Sequence, residues 1–179
     1  MPQIFNEGYP AQYESRLTLK NGKTVFIRPI LQTDGHLIVD LFSKLHDDSK
    51  YLRFLTPLNA LPEDLLFRST HIDYNNSFAL AAVIQEDGKD SIIAVSRYSY
   101  DPKDNFADCA IVVRDDWQHN GLGKLLLGEI FAIGKEHGIS GFVSVIDSTN
   151  KIIKHIIREL NCEVKYSYIN GSTKVTVLA

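Results

Sequence analysis

The sequence has little cysteine, no long apolar run and no excess of positive charge. Its 2 cysteines, Cys109 and Cys162, have no metal-like spacing and fit a reducing compartment. No apolar stretch approaches the ~18 residues needed to span a membrane. The first residues lack the charged lead and apolar core of a signal peptide. We therefore expect a cytoplasmic protein with neither a metal site nor a membrane partner.

The charge balance argues against nucleic acid as a partner. The net charge is −3 and no basic run stands out, so long-range attraction to phosphate backbones is weak. The hydrophobic and charged fractions, 44% and 23%, are typical of globular proteins. At 179 residues, one domain with a substantial core is expected. We assign residues 1–15, which are aperiodic, to an N-terminal extension and residues 16–179 to a single domain.

Hydrophobic periodicity predicts the element order β-β-α-α-α-β-β-β-α-β-α-β-β. Asn21-Gly22 and Asn170-Gly171 are strong hairpin-turn signals, near the two ends of the chain. Thr33 or Asp34 is predicted to cap the first helix. A mixed sheet with helices on both faces buries the resulting apolar stripes, so we expect an α/β (α+β) fold.

The most informative segment is the turn that follows the predicted strand 108–113. Two glycines, Gly121 and Gly123, stand at the start of a helix predicted from Leu122 to about His137. The first amides of a helix lack intrahelical partners, and the helix dipole favours negative charge there. With almost no side chains in the way, the turn is suited to a phosphate or pyrophosphate.

Spacing excludes two familiar phosphate-binding motifs. A Walker loop requires Ser or Thr after the lysine, but Leu125 follows Lys124. A dinucleotide-binding fingerprint requires a third glycine where Leu126 stands. The remaining pattern is Gln118-x-x-Gly121-x-Gly123, for which an ordinary strand-to-helix turn is the alternative interpretation.

This pattern resembles the acyl-CoA pyrophosphate loop of GNAT N-acetyltransferases, written Gln/Arg-x-x-Gly-x-Gly/Ala. The predicted element order resembles the GNAT fold over nearly the whole chain. More specific runs resemble the bacterial Pat-type protein-lysine acetyltransferases, and this resemblance covers about residues 16–160. These runs are Ile27-Arg28-Pro29-Ile30, Ser49-Lys50-Tyr51-Leu52-Arg53-Phe54, Val95-Ser96-Arg97-Tyr98 and Ala110 to Gln118.

The resemblance implies a GNAT-type mixed, centrally splayed sheet that binds acetyl-CoA without a metal. Backbone groups of three strand residues would hold the pantetheine arm: Ile111, Val112 and Val113. Amides of the turn would cradle the pyrophosphate: Gln118, His119, Asn120, Gly121, Leu122, Gly123 and Lys124. Asn150 matches a family asparagine near the pantetheine, although a plain helix N-cap is an equal alternative.

The resemblance also points to Asp108 as the general base. A lysine ammonium, with a pKa of about 10.4, must lose a proton before its nitrogen attacks a thioester. Pat-type enzymes place a glutamate five residues before the last valine of this strand, and that position here holds aspartate. The alternative interpretation is that Asp108 begins the strand in a polar turn. A second departure is Ile157, which stands where many GNAT enzymes carry a tyrosine as proton donor to the CoA sulfur.

The sequence therefore predicts an acetyl-CoA-dependent N-acetyltransferase acting by direct attack in a ternary complex. The leading acceptor is a protein lysine, such as one on an acyl-CoA synthetase. The alternatives are a small amine or amino acid as acceptor, or a non-catalytic sensor that binds acyl-CoA. The chain is expected to be a monomer or a homodimer.

Overall fold

The computed structural model describes residues 8–179, which form one eight-stranded sheet with helices on both faces. The strands are β1 Ser15–Thr18, β2 Thr24–Pro29, β3 Ser77–Glu86, β4 Lys89–Asp101, β5 Phe106–Val113, β6 Gly141–Asp147, β7 Glu163–Ile169 and β8 Ser172–Leu178. The helices are α1 Gly35–Ser43, α2 Asp47–Phe54, α3 Glu63–Thr70, α4 Leu122–Glu136 and α5 Lys151–Glu159. Their order along the chain confirms the predicted one. No helix within residues 8–179 is long and apolar enough to cross a membrane.

The sheet separates at its centre. Its spatial order is β1-β2-β3-β4-β5-β6-β8-β7, and all neighbours are antiparallel except β5 and β6, which are parallel. β5 and β6 pair only through Phe106 with Gly141, Ala107 with Phe142 and Asp108 with Val143. Beyond Asp108 the two strands no longer pair, so the predicted splayed sheet is confirmed. The separation creates a cleft between the carboxyl ends of β5 and β6.

Two apolar layers cover the sheet. The larger one packs α4 and α5 on one face, with Leu126, Ile130 and Ile157 almost fully buried. The other packs α1 against the opposite face through residues such as Leu41. Side chains alternate along β5, so Cys109, Ile111 and Val113 point to the α4 layer. Asp108, Ala110 and Val112 therefore point to the layer that contains α1, α2 and α3.

Part of the predicted N-terminal extension packs on the domain. The 3₁₀ turn Ala11–Tyr13 places the Tyr13 ring edge-on against Phe78, with ring centroids 5.1 Å apart. The Tyr13 hydroxyl donates to Glu136 Oε2 over 3.1 Å, which links the extension to the end of α4. Residues 8–14 are thus held by the core, and β1 begins at Ser15. The first seven residues of the predicted extension lie outside the described residues.

A buried ion pair joins β2 to the entry of α1. Arg28 donates to both carboxylate oxygens of Asp34, over 2.7 and 2.8 Å, and both side chains are less than a tenth exposed. Asp34 also accepts from the Leu31 amide. Asp34 occupies the predicted N-cap position of α1, but its carboxylate is turned toward Arg28 and makes no capping hydrogen bond to α1.

Arg28→Met is expected to lower the free energy of unfolding by about 3–5 kcal/mol, because Asp34 would be left as an unpaired buried charge. Urea unfolding followed by circular dichroism measures the change. Arg68→Met is the matched control, since the Arg68–Asp64 pair is well exposed and should contribute under ~1 kcal/mol. Equal small losses in the two variants would contradict a structural role for the buried pair.

Candidate active site

The carboxyl end of β5 is fixed by a buried arginine. Arg114 is 4% exposed and donates to Glu86 Oε1 over 2.6 Å and to Asp116 Oδ1 over 2.7 Å. The same guanidinium lowers the pKa of Glu86 to about 2. The Arg114 amide donates to the Ile93 carbonyl over 2.8 Å. The chain is therefore held firmly at the point where it leaves the sheet.

The turn between β5 and α4 leaves the first amides of α4 without partners in the helix. Gln118 donates through its side-chain amide to the Val113 carbonyl over 3.0 Å, which closes the turn on the strand. Gly121 is the N-cap of α4 with a φ of 84°, a conformation that favours glycine. Leu125 is the first α4 residue whose amide bonds back to Gly121, over 3.1 Å. The amides of residues 122–124 thus have no partner within the helix, as a phosphate-binding turn requires.

Gly123 brings the helix N-terminus close to the walls of the cleft. A Cβ atom at this position would lie 3.0 Å from Ile156 Cδ1 and 3.7 Å from Val113 Cγ2. Glycine therefore leaves room for a ligand at the first turn of α4. The helix has no acidic residue in that turn, so its positive end is not neutralised there by a side chain.

Two lysines of the β1–β2 hairpin lie beside this turn, and sequence reasoning missed both. The Lys20 side chain passes over Gly121, with Cε 3.5 Å from the position of a Cβ there. Lys23 Nζ lies 4.8 Å from the centre of the Trp117 ring. Both add positive charge beside the proposed phosphate site. The side chain of Lys124, whose backbone amide belongs to the predicted cradle, lies near Glu159, with Nζ 3.5 Å from Oε2.

The cleft between β5 and β6 encloses about 1150 Å³ of space open to solvent. Its walls are mainly apolar, with polar groups at the turn and at the start of α5. Most predicted cofactor-binding residues line it: Ile111, Val112, Val113, Gln118, His119, Gly123 and Asn150. Asn120, Gly121, Leu122 and Lys124 shape the turn or the start of α4 without lining the cleft, and the Leu122 side chain is buried in the core.

Asn150 is both the N-cap of α5 and a residue of the cleft wall, the two interpretations considered for it. Its Oδ1 atom accepts from the Ile153 amide over 3.2 Å, which makes it the N-cap of α5. It also lines the cleft. Its side-chain NH₂ group stays available to a ligand, because the cap uses only the oxygen.

Asp108 lies within β5 at the point where the sheet separates. It pairs with Ser99 of β4 on one side and is the last β5 residue that pairs with β6 on the other. Its side chain is exposed to solvent. Partial desolvation raises the pKa of this carboxyl group above its ordinary value, and the positive charges of Arg53 and Arg97 oppose that rise. A carboxylate of this kind can accept a proton and release it to water.

A hydrogen-bonded link joins the turn to α2. Asp115 accepts from the His46 amide over 2.9 Å and from Ser49 Oγ over 2.5 Å, so it stabilises the N-terminus of α2. Ser49, Leu52 and Arg53 of this helix line the cleft. The segment that shapes the turn therefore also positions the helix that bears Arg53.

Two other side chains limit the chemistry of the cleft. Burial raises the pKa of the Cys109 thiol to about 12, so a reactive thiolate is disfavoured. Ile157 lines the cleft as an apolar side chain, at the position where many GNAT enzymes carry tyrosine. Within residues 8–179, no group of three His, Cys, Asp or Glu side chains could hold a metal ion.

The sheet is mixed and splays at its centre, and a glycine turn follows the strand beside the cleft. This combination is typical of acyltransferases. The family model "Acetyltransferase (GNAT) family" matches residues 41–158. The chain belongs to the GNAT acetyltransferase family.

Known proteins support this assignment. The GNAT domain of S. lividans Pat is 28% identical, with a TM-score of 0.85 over 95% of this chain and 99% of that domain. An acetyltransferase of Pseudomonas aeruginosa is 27% identical over 139 residues, which is 78% of this chain and 75% of that relative. The yncA protein of Salmonella typhimurium, solved with its cofactor acetyl-CoA, is 14% identical with a TM-score of 0.65, covering 87% of this chain and 92% of that one. The similarity to yncA concerns the fold alone. The similarity to the GNAT domain of S. lividans Pat confirms the resemblance to Pat-type enzymes.

Proposed function

We propose that this chain transfers an acetyl group from acetyl-CoA to a protein lysine by direct attack in a ternary complex. The observation that carries the proposal is the position of Asp108, which stands at the fork of β5 and β6 beside a cleft suited to acyl-CoA. The yncA structure with acetyl-CoA supports the choice of donor, and the S. lividans Pat domain supports the Pat-type acceptor.

The cleft residues fit an acyl-CoA by their chemistry. Three amides without helix partners at residues 122–124, with Lys20 nearby, suit a pyrophosphate. The unpaired edge of β5 at Ile111 to Val113 offers backbone groups to the amides of a pantetheine arm. Asn150 offers its side-chain NH₂ group at the other wall. When bound, acetyl-CoA would supply the acyl group as an activated thioester.

Asp108 would provide the base. An acceptor lysine arrives as an ammonium, and Asp108 takes its proton, directly or through one water, and releases it to solvent. The freed nitrogen forms the C–N bond while the C–S bond breaks. The nitrogen then loses its second proton and the CoA thiolate gains one from solvent, so CoA leaves as the thiol and one proton is released overall. The unreactive Cys109 thiol favours this direct route over an acyl-enzyme.

A non-catalytic sensor is the second candidate. It is favoured by Asp108, one methylene shorter than glutamate, and by Ile157, which cannot donate a proton. Both candidates predict binding of acetyl-CoA, but only an enzyme releases CoA thiol in the presence of an amine.

We expect acetyl-CoA and CoA to raise the melting temperature of the protein, because each binds the folded state alone. Incubation with acetyl-CoA and a bacterial protein mixture should then give acetyl-lysine peptides by mass spectrometry. The control omits the enzyme, which measures non-enzymatic acetylation. Stabilisation without acetylation of any amine would favour the sensor, and absence of stabilisation would contradict the cofactor site.

A further inference from the structure

A second cavity lies on the face of the sheet that α1, α2 and α3 cover. It is a hollow beneath α1 and α2 of about 490 Å³ including space open to solvent, and it shares Arg53 and Val112 with the cleft between β5 and β6. Most of its lining is apolar: Ile38, Leu41, Phe42, Leu45, Phe54, Leu61, Val95 and Val112. The charged side chains in its lining are the two guanidinium groups of Arg53 and Arg97.

The strand register places this arginine pair beside Asp108. Arg97 pairs with Ala110 and Ser99 pairs with Asp108, so Arg97 and Asp108 are diagonal neighbours on one face of the sheet. Arg53 reaches the same region from α2, where its charge acts on both Asp108 and Arg97. Two positive charges therefore stand beside one negative charge.

Neither guanidinium has a carboxylate partner among residues 8–179. Arg97 donates to the Arg68 backbone carbonyl over 3.3 Å, and Arg53 lies 4.8 Å from the Phe54 ring centre. Neither forms an ion pair within this part of the chain, in contrast to Arg28 and Arg114. Desolvation lowers the pKa of Arg97 and lowers that of Arg53 to about 10. Both side chains are partly buried and partly open to solvent, so an anion can still reach the two guanidinium groups.

We propose that Arg53 and Arg97 bind a carboxylate that the acceptor carries near its reacting amine. This inference deepens the proposed acetyltransferase function and rests on it. The amine must come within reach of Asp108 to lose its proton, so an anionic group a few ångströms away reaches the arginine pair. The planar guanidinium matches a carboxylate in shape and hydrogen bonding.

The same charges work against an acceptor without an anion. A bare lysine ammonium approaching Asp108 meets two positive charges and one negative charge, and a carboxylate on the acceptor balances the excess. The carboxylate can come from an acidic residue beside the lysine of a protein or from the carboxyl group of a free amino acid. Both sources present the same chemistry to the arginines.

The test uses two matched pairs of acceptors with the purified protein. The first pair consists of lysine peptides that differ only in Glu or Gln next to the lysine, and the second of a free amino acid and its carboxamide. The parent should prefer the carboxylate member of at least one pair by about tenfold or more in kcat/KM. Arg97→Gln and Arg53→Gln should abolish that preference mainly through KM, while Arg97→Lys retains part of it.

Binding and folding are measured separately. Calorimetry of the Glu and Gln peptides on the complex with CoA should show the same preference without turnover. Thermal stabilisation by CoA verifies that each variant is folded. Arg16→Gln is the matched control, because this arginine is exposed, lies over the Phe26 ring and is outside the lining of both cavities. Its preference should equal that of the parent.

The outcomes separate the two proposals. If peptides react and Glu and Gln are equivalent, the carboxylate inference is overturned and the lysine acetyltransferase stands. If only free amino acids react, with the preference lost in Arg97→Gln, the inference stands and the protein-lysine acceptor fails. If the arginine variants lose the same fraction of kcat/KM on both members of a pair, the arginines act through Asp108 and not on an acceptor carboxylate, and the inference is overturned. A preference for succinyl-CoA as donor, lost in the same variants, would also overturn the inference, because the anion would then belong to the acyl group.

Discussion

Asp108→Asn is expected to lower kcat by about 10²–10⁴-fold, the usual contribution of a general base. The asparagine amide has almost the same shape as the carboxylate but cannot accept the proton of the acceptor ammonium. The Kd for acetyl-CoA should stay close to that of the parent, because Asp108 is absent from the lining of the donor cleft. Thiol release with a lysine acceptor measures kcat, and calorimetry measures the Kd.

The pH dependence of kcat provides the independent check. A base works only when ionised, and partial desolvation raises the pKa of Asp108. Turnover by the parent should therefore fall as the pH is lowered through that raised pKa and reach its full value above it. Asp108→Glu places the Pat-type residue at this position, so it should retain turnover and the acid limb. An unchanged kcat and an unchanged acid limb in Asp108→Asn would remove Asp108 from the mechanism.

Gly123→Asp is expected to weaken binding of acetyl-CoA by about 100-fold or more. The new carboxylate would stand in the first turn of α4, where the helix amides are proposed to hold the pyrophosphate, and like charges at close range repel strongly. The melting temperature without ligand should not fall for electrostatic reasons, since an acidic side chain at a helix N-terminus favours the helix. Calorimetry with acetyl-CoA and thermal unfolding without it measure the two effects.

Gly123→Ala separates charge from size. Its Cβ would lie 3.0 Å from the flexible end of Ile156, which can move by a few tenths of an ångström. Alanine should therefore bind acetyl-CoA far better than aspartate at this position. If Gly123→Asp binds acetyl-CoA as tightly as the parent does, the pyrophosphate does not lie at this turn.

The order and type of the secondary-structure elements could be predicted because the local signals were strong. The Asn-Gly pairs stand at the tight turns of the two terminal hairpins, β1–β2 and β7–β8. The apolar stripe of α5, from Ile152 to Ile157, follows an asparagine that caps the helix as its type and position suggested. The N-cap position of α1 was predicted at Asp34, but its carboxylate binds Arg28, which lies six residues earlier, and not the helix amides. A local motif cannot show which of two possible hydrogen-bond partners a side chain will bind.

The candidate site could be predicted only where it is local in sequence. The turn between β5 and α4 is contiguous, so its glycines and Gln118 were found from their spacing. Lys20, Arg53 and Arg97 come from three separate elements, and only the packing of α2 and the hairpin onto the sheet brings them to the site. Arg53 and Arg97 did stand inside the Pat-like runs. Their positions within these runs do not by themselves show that the two side chains lie beside Asp108.

The short pairing of β5 with β6 has a thermodynamic consequence. Beyond Asp108 and Val143, two strand edges in the middle of the sheet lack the ladder that other strands have. A ligand that binds there binds the folded protein and not the unfolded chain, so it raises the free energy of unfolding. At 100 times its Kd, such a ligand adds about 2.7 kcal/mol to the free energy of unfolding. The stability of this protein in a cell is thus coupled to the supply of its donor, and substitutions tolerated at high acyl-CoA can unfold the protein when acyl-CoA is scarce.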